Sequence, residues 1–372
     1  MKKLIAILMM AAMVLALCAC GSSPAEAPAE SGAPTAEAPA ESGAPTAEAP
    51  AESGAPTAEA GEFDAYDTVT LKMSCNGTDT ANDTTAARRI AELVSERSGG
   101  KVTINVFNND QLASGNMQKG LELLLDGTVD MDCHSTSIIS ALDNSVMVST
   151  LPWLFGSYQD AEDAFFGAGG EYLDKVLGER GLTYLGAVHN GFKMMTSNDH
   201  AIRKPSDLKG MKIRIPGGDF FMAFYEAYGA SPQAMSWSEV FSALQQGTID
   251  GHDNSISTCY SNNIQEVQKY FAVSRHTYEA FTFMANEKKF AALNEATQQL
   301  IRDCVAEACK EVNAQIVANE ETLIKDCEET NGCEFYYFTE EDVAEWRAVI
   351  ADLIEEYKGI YGEEACTAFN VQ

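Results

Sequence analysis

The sequence predicts an α/β fold of two lobes, each a mainly parallel sheet flanked by helices, and three observations carry that prediction. Past residue 62 the apolar spacing alternates between period two, as at Val69, Leu71 and Met73, and helical spacing, as at Ile90, Leu93 and Val94. Strand, helix, strand, helix, strand is the order of a parallel sheet covered by helices. The roughly 300 residues that remain after the N-terminal segment are enough for two lobes with a core each. Finally, Leu124-Leu-Asp-Gly-Thr-Val-Asp130 and Leu244-Gln-Gln-Gly-Thr-Ile-Asp250 share a helix end, a glycine cap, a threonine, a β-branched residue and an aspartate. Two loops of like build suggest two halves of like build, although such a helix exit is common.

Met1-Lys-Lys3 followed by an apolar run to Leu17 reads as a secretory signal, too short for a good transmembrane helix. Leu17-Cys-Ala-Cys20-Gly21 resembles a bacterial lipobox and predicts cleavage before Cys20 and lipidation of that residue. Residues 21–62 form a tether. From residue 24 to 61 it repeats with a period of eleven, as in Ala33-Pro-Thr-Ala-Glu-Ala-Pro-Ala-Glu-Ser-Gly43, too rich in Pro and Gly to pack.

In the first lobe, a strand over Tyr66–Met73 delivers Ser74-Cys-Asn-Gly77 to its carboxyl end. Asp83 or Thr84 is expected to cap the next helix, which stops at Gly99-Gly100; a strand follows over Lys101–Phe107. A helix over Met117–Leu125 ends at Gly127 and feeds a strand over Val129–Cys133. Ligands of such sheets lie beyond the carboxyl ends of the strands. Ser149–Phe155 suits a hinge edge or a cleft wall, and Trp153 fits ordinary core equally well.

The second lobe is organised around Lys209-Gly-Met-Lys-Ile-Arg-Ile-Pro216, where Lys212 and Arg214 alternate with Met211, Ile213 and Ile215. Pro205 opens a turn before it, and Pro216-Gly-Gly218 stops the strand after it. A planar guanidinium held at that end grips a carboxylate through two parallel hydrogen bonds; a solvated strand arginine is the competing reading. Ser236-Trp-Ser-Glu239 has the form of a capping box for a helix that carries Val240, Phe241 and Leu244 and ends at Gly247. Thr248–Asn254 then predicts a short strand running into a polar loop. A helix over Asn294–Glu329 is long enough to underlie both lobes, Cys333–Phe338 is a last strand, and Thr339 with Asp342 caps a final helix that buries Trp346, Ile350 and Leu353.

The formal charge of −30 argues against nucleic acid and against bare electrostatic attachment to anionic lipid. An anionic ligand has to be recognised locally, by a few oriented cations and amides in a cleft. Of the 10 cysteines, Cys18 and Cys20 fall in the leader; the others make no metal-binding spacing, and Cys327 and Cys333 are either bridged or buried thiols. No phosphate loop, HExxH or serine elbow occurs, so no catalytic residue, metal or cofactor is expected. His252 reads as a surface histidine, with ligand contact or pH sensing as the alternative. A hydrolase would need His252, Asp253 and a nucleophile such as Ser255.

The run from Lys204 through Asp207-Leu-Lys-Gly-Met-Lys-Ile-Arg214, Gly229-Ala-Ser-Pro232, Met235-Ser-Trp-Ser-Glu-Val240, Ala243-Leu-Gln-Gln-Gly247 and Ile249-Asp-Gly251 to Glu266-Val-Gln-Lys-Tyr270 resembles the substrate-binding proteins of tripartite ATP-independent periplasmic (TRAP) transporters. Weaker similarity runs from about Tyr66 to the end. The resemblance implies a periplasmic-binding-protein-like fold, with lobe I over 63–190 plus about 276–320 and lobe II over 191–275 plus about 321–372, and the long helix spanning both. It implies a monomeric, non-enzymatic receptor on the outer face of the cytoplasmic membrane. That receptor closes on a small organic acid and passes it to the small and large membrane subunits of an ion-gradient-driven permease. An ABC-type or chemosensory receptor is the alternative. Carried over, the resemblance makes Arg214 the carboxylate clamp, Asn254 its hydrogen-bonding partner, Asn76 a first-lobe contact and Lys193 a second cation where the family usually has arginine. Asp253 stands at the family's Glu. Trp237, Ser135 and Phe220 complete the candidate ligand-binding set.

Overall fold

The computed structural model describes residue 61 and residues 63–372; the signal segment, Cys20 and all but residue 61 of the tether lie outside the described residues. Eleven strands run in chain order: β1 (Val69–Cys75), β2 (Val102–Phe107), β3 (Met131–Ser135), β4 (Leu182–Phe192), β5 (Met194–Ser197), β6 (Lys212–Ile215), β7 (Ser231–Ala234), β8 (Gly251–Asn254), β9 (Tyr270–Val273), β10 (Tyr278–Asn286) and β11 (Glu334–Tyr337). They form two sheets, ordered β2-β1-β3-β10-β4 and β11-β9-β5-β8-β6-β7. Each sheet is parallel except for one strand, β10 in the first and β5 in the second. The chain crosses between the sheets where β4 runs into β5 with only Lys193 between them, and again where residues 274–277 join β9 to β10. The helix Glu295–Asp326 also links them. Its Ile301, Val305 and Val312 pack with Ile90 and Phe283 of the first sheet's core, and its Ile324 packs with Met194 and Phe271 of the second.

Local chemistry accounts for most element ends. The Asn294 carboxamide oxygen accepts the Thr297 amide at 2.8 Å to open the long helix, which leaves through a wider turn at Cys327–Asn331 and a left-handed Gly332. Thr339 and Asp342 make the reciprocal capping box expected of them, although that final helix breaks at Ile350 and resumes over Ala351–Tyr361. The helix over Met117–Leu125 has the predicted bounds.

Several expectations need correction. Neither Asp83 nor Thr84 caps the first helix, which starts at Asn82; the Asp83 carboxylate accepts the Gly77 amide at 2.7 Å and ties down the loop after β1 instead. Ser236 stands at the N-cap but its hydroxyl makes no capping bond, so the predicted box is absent there. Strands β3 and β8 begin later than the apolar pattern suggests, because Asp130 and Asp250 serve as clips. The Asp130 carboxylate accepts the Lys72 amide at 2.8 Å, and Asp250 accepts the Lys212 amide at 2.7 Å. His252 to Asn254, expected in a loop, therefore lie in β8, and a helix over Ile256–Ser261 follows it directly. Trp153 clips the crossing segment, donating from its backbone to His276 O at 2.9 Å and from its indole to Ser274 O at 3.2 Å. The eight described cysteines are all free thiols, Cys327 and Cys333 among them.

Candidate functional site

Strand β6 pairs with β7 and β8, in register Arg214 opposite Gln233 and His252. Alternation along β6 sends Ile213 and Ile215 into core, while Arg214 turns to the other face and is only 2 % exposed. Its Nε and Nη2 both donate to Met235 O, at 3.1 and 2.9 Å. The guanidinium carbon lies 5.2 Å from the centre of the Trp237 ring, and the Trp237 indole donates to Asn262 Oδ1 at 3.0 Å. One edge of the guanidinium is thereby fixed to backbone, leaving the other edge as a planar pair of donors. Burial lowers the arginine's pKa to about 10, so it stays charged at neutral pH.

Arg214 opens onto a cleft lined also by Asn76, Met117, Ser135, Asn190, Lys193, Trp237, Asn254, Thr258, Asn262, Glu279 and Phe281. The cleft thus draws on the ends of β1, β3, β4 and β10 from one sheet and β6 and β8 from the other. Its neutral polar groups are held by hydrogen bonds to neighbouring side chains and backbone. Asn76 donates to Asp110 at 2.5 Å, Thr258 donates to Asn190 Oδ1 at 2.7 Å, and the Asn254 carboxamide oxygen accepts the Ser255 amide at 3.1 Å. Direct bonds join the walls: Ser238 Oγ donates to Gly115 O at 3.1 Å, Thr78 Oγ1 to Ser261 O at 3.3 Å, and Asn82 Nδ2 to Ser257 Oγ at 2.9 Å. The cleft is closed.

Lys193 sits where β4 becomes β5, 1 % exposed, with its ammonium 2.8 Å from Glu279 and 3.5 Å from Asp253 and over the Phe221 ring. Burial opposes its charge, but Asp253 and Glu279 more than compensate and raise its pKa. Burial likewise opposes ionisation of Asp253, yet Lys193 and hydrogen bonds from His276 and Tyr225 hold that carboxyl well below its usual range. Asp253 therefore stands behind the cleft wall rather than on it. Phe220 is also away from the cleft: it is fully buried against Phe221, Phe224 and Tyr357.

His252 is not a surface residue. It is fully buried in β8 with Nδ1 2.6 Å from Thr196 Oγ1, and burial drives its pKa down to about 3. A His252, Asp253, Ser255 relay does not form, because Asp253 engages Lys193, Tyr225 and His276 while the Ser255 hydroxyl donates to Asn190 at 3.2 Å. The lining residues that sequence reasoning missed are chiefly Glu279, Asn190, Thr258 and Asn262. Glu279 had left a signal: it is a lone carboxylate in the otherwise apolar or neutral run Tyr278–Asn286.

A closed cleft between two mainly parallel sheets, reached by strand carboxyl ends from both and backed by a helix that spans them, defines a two-lobed solute receptor. The chain belongs to the bacterial extracellular solute-binding proteins, family 7, whose family model matches residues 73–359. This is a family of transport receptors, not enzymes. Among curated relatives, the C4-dicarboxylate-binding protein DctB of Bacillus subtilis is 29 % identical over 300 residues, covering 80 % of this chain and 85 % of its own. The C4-dicarboxylate-binding periplasmic protein DctP of Rhodobacter capsulatus is 30 % identical over 283 residues, 76 % and 84 % of the two chains. Among solved structures, a TRAP periplasmic solute-binding protein of Shewanella oneidensis with bound succinate superposes with a TM-score of 0.76 at 26 % identity, over 81 % of this chain and 98 % of that one. A sugar-acid-binding protein of Advenella mimigardefordensis in complex with galactonate superposes with a TM-score of 0.78 at 27 % identity, over 82 % and 97 %.

Proposed function

We propose that this receptor captures a small organic acid between lobe I (63–190 plus about 276–320) and lobe II (191–275 plus about 321–372), with Arg214 as the carboxylate clamp. The observation that carries this reading is the state of Arg214. It is buried and charged, fixed along one edge to Met235 O, and among the described residues no carboxylate pairs with it. A buried cation without a counter-ion is costly unless its ligand supplies one. Relatives that bind C4-dicarboxylates, and structural neighbours holding succinate and galactonate, favour an organic acid as that ligand. In the same reading Cys20 carries the lipid, residues 21–62 tether a monomeric receptor to the outer face of the cytoplasmic membrane, and the cargo passes to the small and large subunits of an ion-driven permease.

The test is thermal melting of the fragment 61–372 against organic acids, sugar acids, amino acids and neutral sugars. A ligand at a hundredfold excess over its Kd stabilises the native state by roughly 2.7 kcal/mol, a shift of a few degrees. An acid-specific shift that vanishes in Arg214→Ala is the expected result. A shift with neutral sugars alone would refute the clamp.

A further inference from the structure

Two cations line the cleft, but they are not equivalent. The Lys193 ammonium lies between Glu279 Oε2 and Asp253 Oδ1, and the other oxygen of Glu279 accepts the Ser137 amide at 3.0 Å. Glu279 is therefore held in place from both ends, 2 % exposed, at the first sheet's contribution to the cleft. Counted together, Lys193 and Arg214 are balanced by Asp253 and Glu279. Only Arg214 presents donors free of a carboxylate. The first carboxylate of a ligand has that guanidinium edge to take. A second would have no unpaired cation to reach and, with the first already bound, would enter a cleft of net negative charge, a repulsion that the low-dielectric surroundings leave poorly screened. What the rest of the lining offers is hydroxyl and carboxamide: Asn76, Ser135, Asn190, Asn254, Thr258 and Asn262. Those groups can bond hydroxyls, or donate to a carboxylate, but none of them carries a charge to offset a second negative one.

We propose that Glu279 is the specificity-determining residue of this cleft, cancelling Lys193 so that the receptor takes hydroxylated acids with one carboxylate and rejects dicarboxylates. This rests on the acid-receptor reading given above. On this proposal the relatives named for C4-dicarboxylates are a guide to the family and not to the cargo. Discrimination comes from an unpaired charge built against the wrong ligand.

The experiment is calorimetric titration of the fragment 61–372 with two probe sets of matched length: hydroxylated monocarboxylates from glycerate to galactonate, and the dicarboxylates succinate, malate and glutarate. The wild type should bind its best monocarboxylate at least tenfold more tightly than any dicarboxylate. In Glu279→Gln, which keeps Asp253 as a partner for Lys193, that ratio should fall at least tenfold. Adding Lys193→Met to Glu279→Gln should abolish the dicarboxylate gain. Even if a variant fails to fold, a wild-type preference for dicarboxylates overturns the proposal. Binding that needs Arg214 but favours dicarboxylates, or a ratio unmoved by Glu279→Gln, overturns the proposal alone. Binding of neither set, or binding indifferent to Arg214→Ala, overturns the acid-receptor reading and this proposal with it.

Discussion

The two sheets contain the same frame twice. In the first, Met73 pairs with Met131 and Ser74 with Asp132; in the second, Ile213 pairs with Gly251 and Arg214 with His252. Asp130 clips Lys72 as Asp250 clips Lys212, and each clip follows a helix, a glycine and a threonine. On this shared frame the side chains have gone opposite ways. Behind the first strand pair lies an acidic knot of Asp83, Asp110 and Asp132 around His134, all but sealed from solvent, with His134 Nε2 3.4 Å from Asp132 and 3.6 Å from Asp110. At the second, Lys193 and Arg214 stand against Asp253 and Glu279, the last reaching in from β10 of the first sheet, with His276 on Asp253. A duplicated backbone fixes where a side chain emerges. It does not fix what charge is put there: where the first sheet has Ser74, the second has the buried Arg214.

The most direct way to break this comparison is at Arg214. Arg214→Ala should leave the fold intact and cost about 2 to 5 kcal/mol of ligand affinity, the range for stripping one partner from a buried charge pair, and Arg214→Lys should not restore it, because a point charge lacks the forked donors. Titration of the acid found in the melting screen reads both. A near-native Kd for the alanine variant would sink the assignment.

Next in size is the acidic knot. Burial raises the Asp132 pKa to about 7 and the Asp83 pKa to about 6, and His134, although burial opposes its charge, is raised by Asp132 and the other carboxylates. A carboxyl whose folded pKa lies above its unfolded value favours the native state below the unfolded value, near pH 4, and loses that contribution as pH rises through the folded one. Asp132→Asn should therefore stabilise the protein at pH 8, by on the order of 2 kcal/mol, with the gain closing toward pH 4. Urea unfolding at the two pH values measures it, and an equal loss of stability at both would contradict the sign. The second sheet slopes the other way: burial lowers His252 to about 3, so its contribution is present above the unfolded pKa near 6.5 and is lost as pH falls from there toward 3.

The smallest effect sharpens the comparison at the cleft mouth. Ser238→Ala removes the bond to Gly115 O that joins the two walls. A single exposed hydrogen bond contributes about 0.5 to 1.5 kcal/mol, so ligand affinity should weaken several-fold while the melting temperature of the ligand-free protein hardly moves. A matched loss in both would mark the bond as structural.

Much of this was legible in the chain itself. Period-two spacing in β1, β2 and β6, helical spacing in Met117–Leu125, and the Thr339 box are local signals, and local sterics and hydrogen bonds enforce them. The likeness of Leu124–Asp130 to Leu244–Asp250 was suggestive of the duplicated frame, and Arg214 was singled out by its place at the end of an alternating strand before Pro216. The charge balance of the cleft was not legible. Lys193, Asp253 and Glu279 are separated by 60 and 86 positions from the lysine, and no spacing rule joins residues that meet only where two sheets exchange strands. Burial of His252 was hidden for a related reason: whether a polar residue on a short strand faces water or core depends on which element covers it, and here Thr196, Gln268 and Cys259 come from three separate segments. Sequence determined the fold class and most of the strands and helices around Arg214, because those follow from interactions between near neighbours. Tertiary structure alone decided which charges are free to meet a ligand, because a net charge belongs to a place in space and not to a stretch of chain.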